Sequence, residues 1–127
     1  MSLLLDTHAF IWFVAADQRL SSAATAAIRE EPDRVFVSIA RVWEIGIKHS
    51  TGKLTLDTSL ADMVDGMGED EMELLPIVPS HVYRAASLAF HHRDPFDRML
   101  VAQALVDDLT IISVDSQLVA YGIRRLW

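Results

Sequence analysis

"PFDRMLVAQALVDDLTIISVD", residues 95–115, changes periodicity partway along. Leu100, Val101 and Ala104 return at helical spacing, so a helix is expected from Pro95 to about Asp107, with Asp94 ahead of the proline as its start. "LTIISVD" (109–115) then becomes an unbroken apolar run closed by an aspartate, which reads as a buried strand. Such a strand, apolar on both faces, belongs in a parallel sheet covered on both sides. Asp97 breaks the pattern. At 100° per residue it shares one face with Leu100, Val101 and Ala104. An acid in the first turn gains roughly 0.3–1 kcal/mol from the helix dipole. Burying an unpaired carboxylate costs several kcal/mol, so something positive must face it. Arg93, Arg98 and a metal ion are the candidates.

The same alternation extends along the chain. Strands are expected at 2–6 ("SLLLD"), 34–38 ("RVFVS"), 74–78 ("LLPIV"), 109–115 and finally in "IRRLW". Between them lie helices from Thr7 to about Ala16, in "RLSSAATAAIREEP" capped by Ser21 or Ser22 and stopped before Pro32, and in "SIARVWEIGIKHSTG" ending at Gly52. "TSLADMVDGMGEDE" reads as a weaker, lid-like helix with an exposed acidic end, and "PSHVYRAASLAF" as a helix with Pro79 near its start. The expected fold is α/β: a small parallel sheet of four to five strands sandwiched between helices, one domain over residues 1–127.

Composition narrows the function classes. Apolar residues make up 51% and charged ones 23%, a globular balance long enough to bury a core. With no cysteine, thiolate chemistry and Cys-zinc sites are excluded, and the five histidines lack zinc-ligand spacing. The apolar N-terminus has no basic leader region and is interrupted by Asp6 and His8, so it reads neither as a signal peptide nor as a membrane span; a cytoplasmic protein is expected. A net charge of −7 speaks against a broad basic nucleic-acid surface but leaves a metal-filled acidic cleft open.

Ligands of open α/β sheets bind outside the carboxyl ends of the strands, where Asp6 and Asp115 fall. Each is equally suited to capping the segment that follows. Glu44 stands between apolar Ala40 and Ile47 and basic Arg41 and Lys48, so it is either a surface partner of Lys48 or a functional acid.

Four blocks carry a resemblance. "LLLDTHAFIWF" (3–13), "SIARVWEIGIK" (38–48), "HHRDPFDRMLVAQA" (91–104) and "IISVD" (111–115) resemble, in order and spacing, the blocks of PIN-domain proteins, most of all the VapC ribonuclease toxins of toxin–antitoxin pairs. The third block is long and specific; the single-aspartate blocks are weak alone. The resemblance implies an acidic cluster that binds Mg²⁺ or Mn²⁺ and cuts RNA, leaving a 5′-phosphate and a 3′-hydroxyl. It assigns the catalytic acids to Asp6, Glu44, Asp97 and Asp115. Asp6, Asp97 and Asp115 are then metal ligands, Glu44 orients or deprotonates the water, and Thr7 and Ser113 are supporting polar residues. Arg41, Lys48, Arg93 and Arg98 are candidate RNA contacts. It further implies a homodimer and a cognate antitoxin whose tail covers the cleft with an arginine among the acids.

Hard oxygen ligands suit Mg²⁺ or Mn²⁺, and crowded carboxylates without a cation should push at least one pKa upward. Competing readings are a solitary RNA-processing nuclease and a non-catalytic RNA- or partner-binding module of the same fold. A phosphatase or phosphoacceptor domain is disfavoured: "LDTHAF" has no second aspartate two residues on, and no strand-end lysine presents itself.

Overall fold

The computed structural model describes residues 1–30 and 32–127. Five short strands build one sheet: β1 (Leu3–Leu5), β2 (Val35–Ser38), β3 (Met72–Leu75), β4 (Thr110–Ile112) and β5 (Arg124–Leu126). Their order is β3-β2-β1-β4-β5, and every neighbouring pair is parallel. β1 is central: Leu4 aligns with Phe36 on one side and Ile111 on the other.

Alternation along these strands divides the core. Leu3, Leu5, Val35, Val37 and Ile112 face Phe10, Ile28, Ile45 and Met63 from α1 (Thr7–Val14), α2 (Ser22–Arg29), α3 (Ile39–Ser50) and α4 (Leu60–Gly66). Leu4, Phe36 and Ile111 face Leu100, Val101 and Ala104 of α6 (Pro95–Asp107), beside α5 (Pro79–Ser87). Each fully buried aliphatic side chain contributes on the order of 1.5–3 kcal/mol. Small polar caps set where the helices begin. Asp6, Ser21, Ser38, Ser59 and Asp94 accept from the first-turn backbone N–H groups of α1, α2, α3, α4 and α6.

Three expectations shift. β3 lies at 72–75, not 74–78, because Pro76 cannot donate to the ladder. Ile77 and Val78 lie beyond it, both exposed. The segment expected as a lid is packed down instead: Met63 of α4 and Met67 of the following 3₁₀ turn are buried in the core. The expected end of α2 before Pro32 includes Glu31, which lies outside the described residues; α2 itself stops at Arg29. Among the described residues, no helix is long and apolar enough to cross a membrane.

Candidate active site

The chain runs outward from β1 through β2 to β3, then returns to β1's other side as β4 and β5. This reversal leaves a crevice at the carboxyl ends of the strands. Asp6 leaves β1 there. Its Oδ1 caps α1 by accepting from the Ala9 N–H at 2.9 Å, and its Oδ2 accepts from the buried Ser113 hydroxyl, just past β4. The Ser113 oxygen accepts in turn from the Asp115 N–H at 3.1 Å, so one hydroxyl ties the two strand ends together. Capping and proximity to the crevice coexist in Asp6.

α3 and α6 bring the other acids. Glu44 is buried, and both of its oxygens are engaged. Oε1 accepts from Thr7 Oγ1 and from Arg41 Nη1 at 2.8 Å, while Oε2 accepts from Lys48 Nζ at 2.6 Å. Arg41, only 4% exposed, reaches further with Nη2 to Asp97 Oδ1 at 2.8 Å. The positive partner that Asp97 requires is therefore Arg41 on α3, not Arg93 or Arg98. Sequence distance hid it: 56 residues separate the two. Asp6, Thr7, His8, Arg41, Glu44, Lys48, Asp94 and Asp97 line one open cleft of about 180 Å³.

Asp94 caps α6 through the Phe96 and Asp97 N–H groups at 2.7 and 3.2 Å, and it also borders this cleft. Asp115 does not line it. Its side chain caps the 3₁₀ segment Ser116–Tyr121 and accepts from His92 Nε2 at 2.8 Å. His92 is fixed from its other side by the Tyr121 hydroxyl, which accepts from the His92 backbone N–H at 2.7 Å. No spacing in the sequence singles out His92 as Asp115's partner.

Two candidate RNA contacts change role. Arg41 is enclosed between Glu44 and Asp97 and presents no free guanidinium to an RNA strand. Arg98 points away from the cleft: its guanidinium donates to the carbonyls of Ala85, Leu88, Ala89 and His92 at 3.0–3.4 Å and lies over the Phe90 ring. It shares a helical face with the buried Val101 and Ala102, a phase signal that the sequence did contain. Lys48, half exposed, and Arg93, exposed, keep accessible charges.

At Glu44 and Asp115 the electrostatics run opposite to a raised carboxyl pKa. Burial works to raise Glu44, but hydrogen bonds from Lys48 and Thr7 and the adjacent Arg41 charge hold it below the ordinary glutamate range. Desolvation of Asp115 is likewise outweighed, by His92 and the Gln117 N–H, and it too is lowered. Arg41 remains charged despite its burial because Asp97 and Glu44 flank it. Glu44 is compensated by Arg41 and Lys48, and Asp97 by Arg41.

The carboxylates bordering the cleft, with Thr7, are oxygen donors of the kind Mg²⁺ and Mn²⁺ take, so the set fits a hard cation in its chemistry. Its arrangement is not a finished cage. Among the described residues, no three His, Asp or Glu side chains converge as an ion site. The expected common cluster of Asp6, Asp97 and Asp115 is not assembled here, because Asp115 turns to His92 and Arg41 takes an Asp97 oxygen.

Comparison with known proteins adds the lineage. Ribonuclease VapC22 of Mycobacterium tuberculosis (strain ATCC 25618 / H37Rv) is 28% identical over 118 residues, covering 92% of this chain and 89% of the relative. The structure of VapBC2 from Rickettsia felis, bound to a DNA fragment from their promoter, superposes with a TM-score of 0.70 at 9% identity, over 99% of this chain and 98% of that one. VapBC-1 from nontypeable Haemophilus influenzae gives 0.69 at 14% identity, over 99% and 97%. These solved structures share the five-stranded parallel architecture flanked by helices. The PIN domain family matches residues 3–123, and the chain belongs to that family.

Proposed function

We propose that the chain is a metal-dependent endoribonuclease, the toxin of a toxin–antitoxin pair, acting in the cytoplasm as a homodimer held in check by its cognate antitoxin. The observation that carries this reading is the cleft at the carboxyl end of β1, where Asp6, Glu44, Asp94 and Asp97 from three segments of a PIN domain border one space. The ribonuclease relative supports RNA as substrate, and the toxin–antitoxin neighbours support a protein partner over the cleft.

Asp6 and Asp97 are the residues proposed to hold Mg²⁺ or Mn²⁺, with Asp115 contributing a second or weaker position directly or through water. When bound, such an ion supplies positive charge that offsets the anionic phosphodiester and makes an attacking water more acidic. Ser113 fixes the Asp6 carboxylate, and Thr7 fixes Glu44. Glu44 orients or deprotonates the water, which requires one of its two cationic partners to yield an oxygen. Lys48 and Arg93 receive RNA phosphates as point charges. An antitoxin arginine fork is sound against these carboxylates, since it replaces cation charge.

One observation favours a second reading, a non-catalytic module of the same fold: Arg41 already compensates Glu44 and Asp97. Labelled RNA with Mn²⁺, against an EDTA control, separates the two. The nuclease reading expects metal-dependent cuts that vanish in folded Asp6→Asn and Asp97→Asn proteins. Undiminished cleavage by Asp97→Asn overturns the site assignment. No cleavage by the wild type, across tRNA, rRNA and mRNA substrates, favours the module.

A further inference from the structure

Among the described residues, Arg41 is the one cation enclosed in the cleft. Its guanidinium bridges two acids that belong to different helices, Glu44 on α3 and Asp97 on α6, at 2.8 Å each. Its Nε is buried with no hydrogen-bond partner among the described residues, so the group is positioned by the two carboxylates alone. Lys48 is a contrasting cation: it is half exposed, pairs with Glu44 alone and does not reach Asp97. A delocalised fork that takes one oxygen from each of two acids sets a positive charge against Asp97 Oδ1, beside any place where a cation binding Asp97 would sit.

We propose that Arg41 is a built-in rival of the divalent ion: it holds Asp97 Oδ1 and sets a positive charge beside the cleft, and metal affinity at Asp97 is held down by that competition. The proposal rests on the reading of Asp97 as a metal ligand. It makes Arg41 a positioning residue that sets the metal concentration at which the cleft fills, in a chain whose neighbouring acids are otherwise suited to bind.

The test is Mn²⁺ titration of the whole protein by calorimetry, with wild type, Arg41→Gln, Arg41→Lys, Lys48→Gln and Asp97→Asn, each checked for fold by circular dichroism in EDTA. Arg41→Gln should bind Mn²⁺ about tenfold or more tighter than wild type, the scale of one hydrogen bond to a charged group. Arg41→Lys, which keeps the charge but cannot fork, should gain nearly as much; Lys48→Gln should gain less than about threefold. Equal gains in Arg41→Gln and Lys48→Gln, or a wild-type affinity in Arg41→Lys, would show general charge reduction and overturn the rivalry. Should the Arg41 variants fail to fold, the wild type answers by nitrogen-15 NMR. Mg²⁺ should shift the Arg41 guanidinium nitrogen resonances together with the Asp97 carboxylate carbon, followed by carbon-13 on the same sample, and an Arg41 signal unmoved while Asp97 responds overturns the proposal. Binding that is lost in Asp97→Asn yet unchanged in Arg41→Gln sinks the rivalry alone. No Mn²⁺ binding by any variant at millimolar concentration sinks the metal reading with it.

Discussion

Glu44→Ala should destabilise this protein far more than an ordinary helix substitution. The Arg41 and Glu44 side chains are 4% and 5% exposed, so removing the acid leaves a guanidinium enclosed with only Asp97 to face it. Breaking a buried pair from one side costs about 3–5 kcal/mol. Losing the half-exposed Lys48 contact adds little, because solvent screens it. Since a chain of this size loses roughly 4 °C of melting temperature per kcal/mol, the fall should be about 12–20 °C. Arg41→Met alone should cost less, about 2–3 kcal/mol, because Thr7 and Lys48 still serve Glu44. The double variant Arg41→Met/Glu44→Leu should recover most of the loss, as replacing both partners of a buried pair by apolar groups is often close to neutral. Thermal and urea unfolding of the two single variants and the double close a cycle whose coupling should be at least about 2 kcal/mol. Additive effects, with each single variant costing under about 1 kcal/mol, would refute the claim that this pair carries stability at the cleft.

Three further outcomes are expected. Arg98→Ala should lower the melting temperature by roughly 8–15 °C, the scale of several hydrogen bonds from a charged donor, because four carbonyls at the end of α5 and in the segment after it lose one donor; a shift under about 2 °C in a thermal melt would contradict its anchoring role. Glu44 and Asp115 are both held below their ordinary values of 4.5 and 3.8, so the stability they add is fully present above those values and drains away as the pH falls through the folded-state ones. Urea midpoints measured from pH 6 downward should fall steeply on that acid side, and less steeply in Glu44→Gln; identical slopes would refute the assignment. Asp94→Ala should cost about 1 kcal/mol by urea unfolding, the usual worth of a helix cap, and a loss above about 3 kcal/mol would mean the cleft depends on it for more than capping.

Much of the architecture was legible because it rests on local signals. Continuous apolar runs placed β1, β2 and β4, and small polar residues ahead of helical stripes placed the starts of α1, α2 and α6. That Asp97 faces a positive charge was also legible, although the acid is only partly buried, its side chain 29% exposed. Which charge answers was not, because the α3–α6 crossing exists only in three dimensions. Arg98 was misread through adjacency: sitting next to Asp97 in sequence puts it about 100° around the helix, toward the α5–α6 loop rather than the cleft. Glu44's border position between Ala40 and Lys48 concealed the burial that Arg41 makes tolerable. For β3, the apolar residues after Pro76 outweighed the proline itself, which was the better guide.

The Ser113 hydroxyl between Asp6 and the Asp115 amide has a consequence for the order of events during synthesis. Asp6 is made first, and the serine that fixes it follows 107 residues later. Until 109–115 has left the exit tunnel, β1 has β2 on one side and an open edge on the other. A nascent chain arrested before that segment carries the acids of α1, α3 and α6 without the strand that aligns the first of them. The first acid of the cleft therefore lacks its fixing hydroxyl until translation of this segment is done.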